Sequence, residues 1–493
     1  MKIRLRLPHT AWLLVAACTA LATGLAHSDR LYSDLPSIGD SAGAVISPVE
    51  ERKLGAMFMR SIRQSGMVLD DLETTSYLRS LGRRLATNSD TPAQPFTFFV
   101  VRQPSINAFA GPGGYIGVHT GLFLASENES ELAGVLAHEI AHVTQRHLVR
   151  AFEAADNLSV PSMAALLAAI LIGTQSPDAG IATAMAAQAG AMQYQINFTR
   201  ANEYEADRVG IQTLANAGID AYGMPAFFER LQKNSRLYGS RPPEFLSTHP
   251  VTTNRIAEAT SRAESYPPGE KDSVDFQLIR ARLRVLSYEN PDQVIDDYRQ
   301  YRKRGEKAEP WQRYEFALLL AVTNEEQEAL KILKSLHSKD PDRIAYRLAL
   351  AALYRETGEP SKAIALYRDS LELYPGSLEL MAPYASTLLA NGQAKEAWLQ
   401  LKDSYTISDV SNDKHNDPHI YKLLAQAAEA MGRNAQMHGA MSQYYHLNGF
   451  TRQAIQQLQL AKRESGLTDY ETARINARLK ELKDLLREEE KQQ

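Results

Sequence analysis

His138-Glu139-Ile140-Ala141-His142 lies within the longer stretch Glu131-Leu132-Ala133-Gly134-Val135-Leu136-Ala137-His138-Glu139-Ile140-Ala141-His142-Val143, and the fold turns on how these residues are read. The two histidines are four positions apart. On a helix their imidazoles therefore share one face, a turn from each other, where they can hold a single Zn²⁺. Glu139 then stands beside them as a base. Leu132, Val135, Leu136, Ile140 and Val143 recur at three- and four-residue steps, the pattern of an amphipathic helix. Ser126 with Glu129, or Asn128 with Glu131, can cap its start. With 12 His in 493 residues, an accidental match has odds of about a few per cent, so the rest of the chain has to support it.

A third metal ligand must come from outside this helix. Asn202-Glu203-Tyr204-Glu205-Ala206-Asp207 offers the best-placed acids: Glu203 and Asp207 share a helix face, while Glu205 points away from them. Without the first motif such acids read as a solvated surface. Leu246-Ser247-Thr248-His249-Pro250 reads as a loop, with Arg255 at the start of another helical pattern. A lone loop histidine is more often structural or solvent-facing, but a zinc site nearby makes His249 a candidate. Two other zinc-protease arrangements are excluded. A third histidine six residues after His142 would fall on Leu148, and the inverted His-x-x-Glu-His order does not occur. His147 reads as a polar residue at the helix end.

Two histidines and a third protein ligand leave one coordination position for water, whose pKa falls towards about 7. Glu139 can take its proton and pass it to a leaving amine. These are the parts of peptide-bond hydrolysis. A non-enzymatic chaperone with a zinc-braced fold is the alternative, and Glu139 argues against it, because a structural zinc site has no need of a base.

At 493 residues the chain exceeds one ordinary core. Its 44% hydrophobic and 23% charged content is that of a globular protein, and a net charge of -4 argues against a nucleic-acid partner. Lys2, Arg4 and Arg6, then an apolar run from Ala11 to Leu21, then Gly24-Leu25-Ala26, read as a signal peptide over residues 1–26. Cleavage near Ala26 removes Cys18, the only cysteine, so the ligands must be His and carboxylate. A lipid anchor at Cys18 is the competing interpretation.

Residues 27 to 46 read as a lead-in rich in Ser, Asp, Gly and Pro. Ser47-Pro48-Val49-Glu50 then starts a helix near 48 to 65, and a second is expected near 71 to 87. Phe96 to Val101, Ile106 to Phe109 and Tyr115 to Leu122 read as strands, with a β-turn at Gly111-Pro112-Gly113-Gly114. A strand beside the motif helix could offer its edge to an extended peptide, or only support the helix. Leu158 to Met192 is apolar and alanine-rich. Its uninterrupted core is short for a span of about 20 residues, so it reads as a buried helix or a flap beside the site rather than a membrane segment.

From about residue 272 the pattern changes. Ala317, Ala351 and Ala385 recur at 34 residues, as do Ala329, Ala363 and Ala397, Gly358 and Gly392, and Pro341 and Pro375. That period, with small residues where helices touch, is the signature of tetratricopeptide repeats. Further helical pairs are expected over 273–305 and 418–487, where Asn448-Gly449 followed by Ala454 keeps the spacing but not the register. Stacked helix pairs make a concave protein-binding surface.

Taken together, His-Glu-Ile-Ala-His, the upstream Asn107-Ala108-Phe109-Ala110-Gly111-Pro112-Gly113-Gly114 and the downstream Glu203-Tyr204-Glu205-Ala206-Asp207 resemble the M48 zinc metallopeptidases, in a branch with C-terminal tetratricopeptide repeats. The resemblance implies an α+β zincin-like metallopeptidase domain, mostly helical with a small sheet, over 27–270, and an all-α repeat solenoid over 271–493. It implies one Zn²⁺ per chain held by His138, His142 and Glu203, with Glu139 as base and Asp207 orienting a ligand histidine. His249 is either an inhibitory latch on the metal or a stabiliser of the oxyanion, a role Arg255 could share. The implied setting is the Gram-negative periplasm. There the substrates would be misassembled or stalled outer-membrane β-barrel proteins, and the repeats would dock clients or assembly machinery. Peripheral contact with a membrane is a further implication.

Overall fold

The computed structural model describes residues 46–153, 200–237, 243–302, 308–402 and 417–490. The signal peptide expected at 1–26, Cys18, nearly all of the lead-in, and the apolar stretch from Leu158 to Met192 lie outside the described residues. Among the described residues no helix is long and apolar enough to cross a membrane.

Ser47 caps α1 (Pro48–Gln64) in a reciprocal box with Glu50, as Ser-Pro-Val-Glu predicts. Asp71 caps α2 (Leu72–Thr87) by accepting from the Thr74 N–H at 2.8 Å. The strands β1 (Thr97–Val101), β2 (Ala108–Ala110) and β3 (Tyr115–His119) form a sheet in the order β1-β3-β2. β1 runs parallel to β3, with Thr97 beside Tyr115 and Val101 beside His119. β2 runs antiparallel to β3, with Ala108 beside Val118, and so lies at the sheet edge.

The glycine-rich segment is the expected turn between β2 and β3, a single 3₁₀ turn over Pro112–Gly114 with Gly113 and Gly114 at φ of +70° and +79°. One strand boundary is corrected here. The third strand stops at His119, because Thr120–Ala125 winds into the short helix α3. An apolar run such as Leu122-Phe123-Leu124 suits a buried helical turn as well as a strand, and periodicity alone does not separate them.

α4 (Glu129–Thr144) carries the His-Glu-Ile-Ala-His motif and is capped by Asn128 onto the Glu131 N–H. After it come α5 (His147–Glu153), α6 (Arg200–Asn216), α7 (Gly223–Leu237), α8 (Glu244–Thr248) and α9 (Thr253–Ala263). The amphipathic expectation for α4 fails, since every residue from Glu129 to Val143 is buried. Ala133, Gly134, Ala137 and Ala141 line the faces that Leu and Ile do not. Their small size lets neighbouring elements close in, and a helix buried all round is central rather than superficial. A Cβ on Gly210 of α6 would lie 3.1 Å from the His138 backbone nitrogen. The glycine therefore sets α6 against α4 at the level of the motif.

The second half is built of helix pairs: α10 (Val274–Ser287) with α11 (Pro291–Arg302), α12 (Pro310–Val322) with α13 (Glu326–Lys339), and α14 (Ile344–Glu356) with α15 (Pro360–Leu373). They continue as α16 (Leu378–Ala390) with α17 (Ala394–Leu401), α18 (Pro418–Ala430) with α19 (Asn434–Leu447), and α20 (Thr451–Arg463) with α21 (Asp469–Glu490). All six periodic alanines, Ala317, Ala329, Ala351, Ala363, Ala385 and Ala397, are 0% exposed, so the 34-residue period marks where helices touch. Gly358 and Gly392 turn each pair at φ of +76° and +75°. One period earlier Asn324, at φ of +61°, takes the same place, and Asn is the residue other than glycine that most readily adopts this conformation.

From Ile46 onward the chain forms one compact unit, because the repeats curl back onto α1 and α2. Arg282 of α10 donates to Asp71 at 3.0 and 2.7 Å and pairs with Glu73 at 3.2 Å. Ser76 donates to Glu379 of α16 at 2.6 Å, and Lys53 pairs with Glu488 of α21 at 2.7 Å. The change of composition near residue 272 is no free linker. The Glu270 N–H donates to the Gly218 carbonyl, and the Ser130 N–H donates to the Lys271 carbonyl. A cavity of about 920 Å³ opens between Asp70 to Glu73 and the inner helices α10, α12, α14, α16 and α18.

Glu73 sits at this junction with Tyr314 3.4 Å away. Burial raises its pKa to about 7, with Asp71 and Glu379 adding to the rise and Arg282 opposing it. A carboxyl whose folded pKa is raised stabilises the fold fully below its unfolded value. That contribution is lost as pH rises through about 7. At ~1.4 kcal/mol per unit of pKa, the effect is at most ~3 kcal/mol. Glu73→Gln is therefore expected to raise the Tm at pH 8.5 while leaving that at pH 4 nearly unchanged. Equal shifts at both pH values would contradict the assignment.

Candidate active site

α4 and α6 lie side by side, and α8 ends in His249 beside them. His138 Nε2 and His142 Nε2 are 2.9 Å apart, and Glu203 places Oε2 3.5 Å from the first and Oε1 3.5 Å from the second. His249 Nδ1 lies 3.3 Å from His138 Nε2 and 3.0 Å from Glu203 Oε1. One donor atom from each of these four residues falls within 4.8 Å of the other three, and all four side chains are buried. Three imidazoles and one carboxylate in so tight a cluster fit Zn²⁺, which favours nitrogen and oxygen donors in a tetrahedral set. Burial of four polar side chains around one point has no packing rationale without an ion to hold.

The outer partners support that fit. His138 Nδ1 faces Asp207 Oδ1 at 3.0 Å, which leaves Nε2 to point at the cluster. Arg255 grips Asp207 with Nε and Nη2, both at 2.8 Å, and reaches Glu203 Oε2 with Nη1 at 2.7 Å. Nη1 also donates to the Pro250 carbonyl at 2.9 Å, and the guanidinium stacks over Phe228 at 5.2 Å. Burial lowers Arg255's pKa, but Asp207 and Glu203 outweigh it, so the guanidinium is a fixed cation.

The charges follow from these neighbours. Burial would raise Glu203, but His249 and His138 hold its carboxyl well below the usual range. His142 is pushed well below the ordinary imidazole value by burial and by His138, so it is neutral, as a ligand must be. For His138 the pull of burial is overcome by Asp207 and Glu203, and its pKa is raised to about 9. Metal binding at His138 therefore displaces a proton.

Glu139 is fully buried, and its Oε1 is 3.5 Å from His249 Nε2. Burial raises its pKa, while His249, His138 and the backbone of Ala110 in β2 favour the charged form. A carboxylate so raised is a stronger base than an exposed one and can accept a proton. The proximity of Ala110 also places the sheet edge beside this group.

Each residue singled out from sequence thus falls in one cluster: His138, Glu139, His142, Glu203, Asp207, His249 and Arg255. Arg255 spends its nitrogens on Asp207, Glu203 and Pro250 rather than pointing into open space. Sequence reasoning missed the place of His147. It is more than a polar residue at the helix end: it is 0% exposed, with Nδ1 2.7 Å from His142 Nδ1. Glu205 does point away from Glu203 and Asp207, and it does so to meet His147 Nε2 at 3.1 Å. The only signal available was the alternation Glu203, Glu205, Asp207, which puts one acid on the opposite side of α6.

Residues 72–263 match the profile of peptidase family M48, and residues 344–386 match a tetratricopeptide repeat. The chain is 36% identical over 453 residues to a putative beta-barrel assembly-enhancing protease of Vibrio cholerae, covering 91% of this chain and 92% of that protein. It is 35% identical over 474 residues to the beta-barrel assembly-enhancing protease of Escherichia coli, covering 96% of each. A mitochondrial metalloendopeptidase of Arabidopsis thaliana matches over 257 residues at 30% identity, half of each chain.

Proposed function

Because the chain belongs to the M48 metallopeptidases and aligns with beta-barrel assembly-enhancing proteases over nearly its whole length, we propose that it is a periplasmic zinc endopeptidase that removes misassembled or stalled outer-membrane β-barrel proteins and assists their assembly. The observation that carries this reading is the convergence of His138, His142, Glu203 and His249 beside the buried Glu139.

In this reading one zinc per chain is held by His138, His142 and Glu203, with His249 as a fourth donor at rest. When bound, zinc supplies Lewis acidity that makes water more acidic and polarises a carbonyl. Glu139 takes the proton of the attacking water and returns it to the leaving amine. Asp207 holds His138 in the tautomer that presents Nε2, and Arg255 keeps Asp207 and Glu203 in place. The edge strand β2 receives an extended substrate strand.

His249 serves as the latch. While its imidazole remains in the donor set the site rests, and withdrawal of the segment from Pro243 to Pro250 opens it. A peptidase domain over 27–270 cuts, and the repeat domain over 271–493 brings client or assembly machinery within reach of the site by raising its effective concentration. A signal peptide ending near Ala26 accounts for the location.

Chelation is the direct test. Dialysis against a strong zinc chelator should abolish cleavage of unfolded casein, and one equivalent of Zn²⁺ per chain should restore it. Full cleavage by zinc-free protein would overturn the reading.

A further inference from the structure

We propose that His147 and Glu205 form a positioning relay that fixes the tautomer of His142 and aims its Nε2 at the metal, an inference that rests on the zinc-site reading above. Two imidazole Nδ1 atoms 2.7 Å apart can only be joined by one shared proton, one ring donating and the other accepting. A histidine that offers its Nε2 lone pair to a metal carries its proton on Nδ1. His142 must therefore donate and His147 must accept. Neutral His147 then carries its own proton on Nε2, and there it meets Glu205 Oε2 at 3.1 Å. Arg150 closes the row, with Nη2 3.2 Å from the same oxygen.

The result parallels the arrangement behind the other ligand histidine. Asp207 backs His138 directly and is gripped by Arg255. Glu205 backs His142 through one intervening imidazole and is gripped by Arg150. Both chains of contacts end on an arginine, and both acids come from α6.

The backbone is shaped for this contact. Had α4 continued as a helix, residue 147 would lie five positions past His142, about 140° around the axis and away from it. Instead α4 ends at Thr144, and Arg146 adopts φ of +52°, a left-handed conformation that costs a residue other than glycine energy. That turn starts α5 with His147 folded back beneath His142. Retained strain next to a metal site is explained when the residue it delivers has work there.

The experiment measures zinc affinity by chelator competition, together with the visible spectrum of the Co²⁺-substituted protein, for wild type, His147→Leu, His147→Gln and Glu205→Gln. Zinc binding by the wild type tests the metal site itself, and only the differences among variants test the relay. His147→Leu removes both hydrogen bonds and should weaken zinc binding about ten- to a hundredfold and shift the cobalt bands, as loss of a ligand's outer partner does. Gln can accept from His142 and donate to Glu205, so His147→Gln should recover most of the affinity. Glu205→Gln leaves both rings packed and should weaken binding by several-fold. If His147→Leu does not fold, the relay is judged on the other two variants. Wild-type affinity and an unchanged spectrum in His147→Leu would overturn the proposal. So would a loss in His147→Gln as large as in His147→Leu, or an unaltered Glu205→Gln.

Discussion

Glu139→Gln is expected to lower kcat on unfolded casein by about 10²- to 10⁴-fold, the range for loss of a general acid–base group, with KM little changed. Zinc content should stay at the wild-type level, because Glu139 is not among the four clustered donors. The amide keeps the shape of the carboxylate but cannot take a proton. Glu139 is also a buried carboxyl held mainly by neighbouring charges, and a neutral amide avoids the cost of burying charge. The Tm of the variant should therefore be unchanged or slightly raised. Steady-state kinetics, metal analysis and a melting curve on the same preparation check all three expectations. Undiminished cleavage would remove Glu139 from the mechanism. Full function in cells with zinc retained and cleavage lost would transfer the protein's role to its repeats, as a chaperone.

His249→Ala is expected to act in the opposite direction and raise kcat/KM for the same substrate by about fivefold or more, the scale of a modest coupling between two states. The reasoning starts from the contacts. His249 stands 3.3 Å from His138 Nε2 and 3.0 Å from Glu203, inside the donor cluster, and 3.5 Å from Glu139. Four protein donors complete a tetrahedral zinc set and leave no place for water. Deleting one of them while keeping His138, His142 and Glu203 opens that place. Zinc affinity should fall while activity rises, a pairing that a purely structural role for His249 does not produce. Loss of cleavage would instead make His249 an aid to the oxyanion, and unchanged cleavage would leave it with neither role.

Much of this site is legible in the sequence alone, for reasons that can be named. His138, Glu139 and His142 are adjacent in one helix, and helix geometry alone sets two imidazoles on one face. Glu203 and Asp207 follow the same rule in α6. The buried alanines and the left-handed glycines of the repeats obey a 34-residue period because each helix pair packs on the next in the same way. The errors have equally specific causes. The apolar steps in α4 suggested one covered face, but Ala133, Gly134, Ala137 and Ala141 are small enough to be buried on the others. Leu122 and Phe123 looked like strand because a short apolar run has no period of its own.

What the chain decides by itself is therefore local: which residue types stand at helical spacing, where helices start, and where the repeats turn. What only the tertiary structure decides is which distant segments meet. His249 lies 111 residues from His138, yet the two rings touch. His147 reaches His142 only because Arg146 reverses the backbone. Arg282 and Lys53 tie the repeats to α1 and α2 through pairs separated by hundreds of positions. Backbone geometry repeats every few residues and leaves a pattern in the letters. A contact closed across a long loop leaves none, because its partners are chosen by the packing of everything between them.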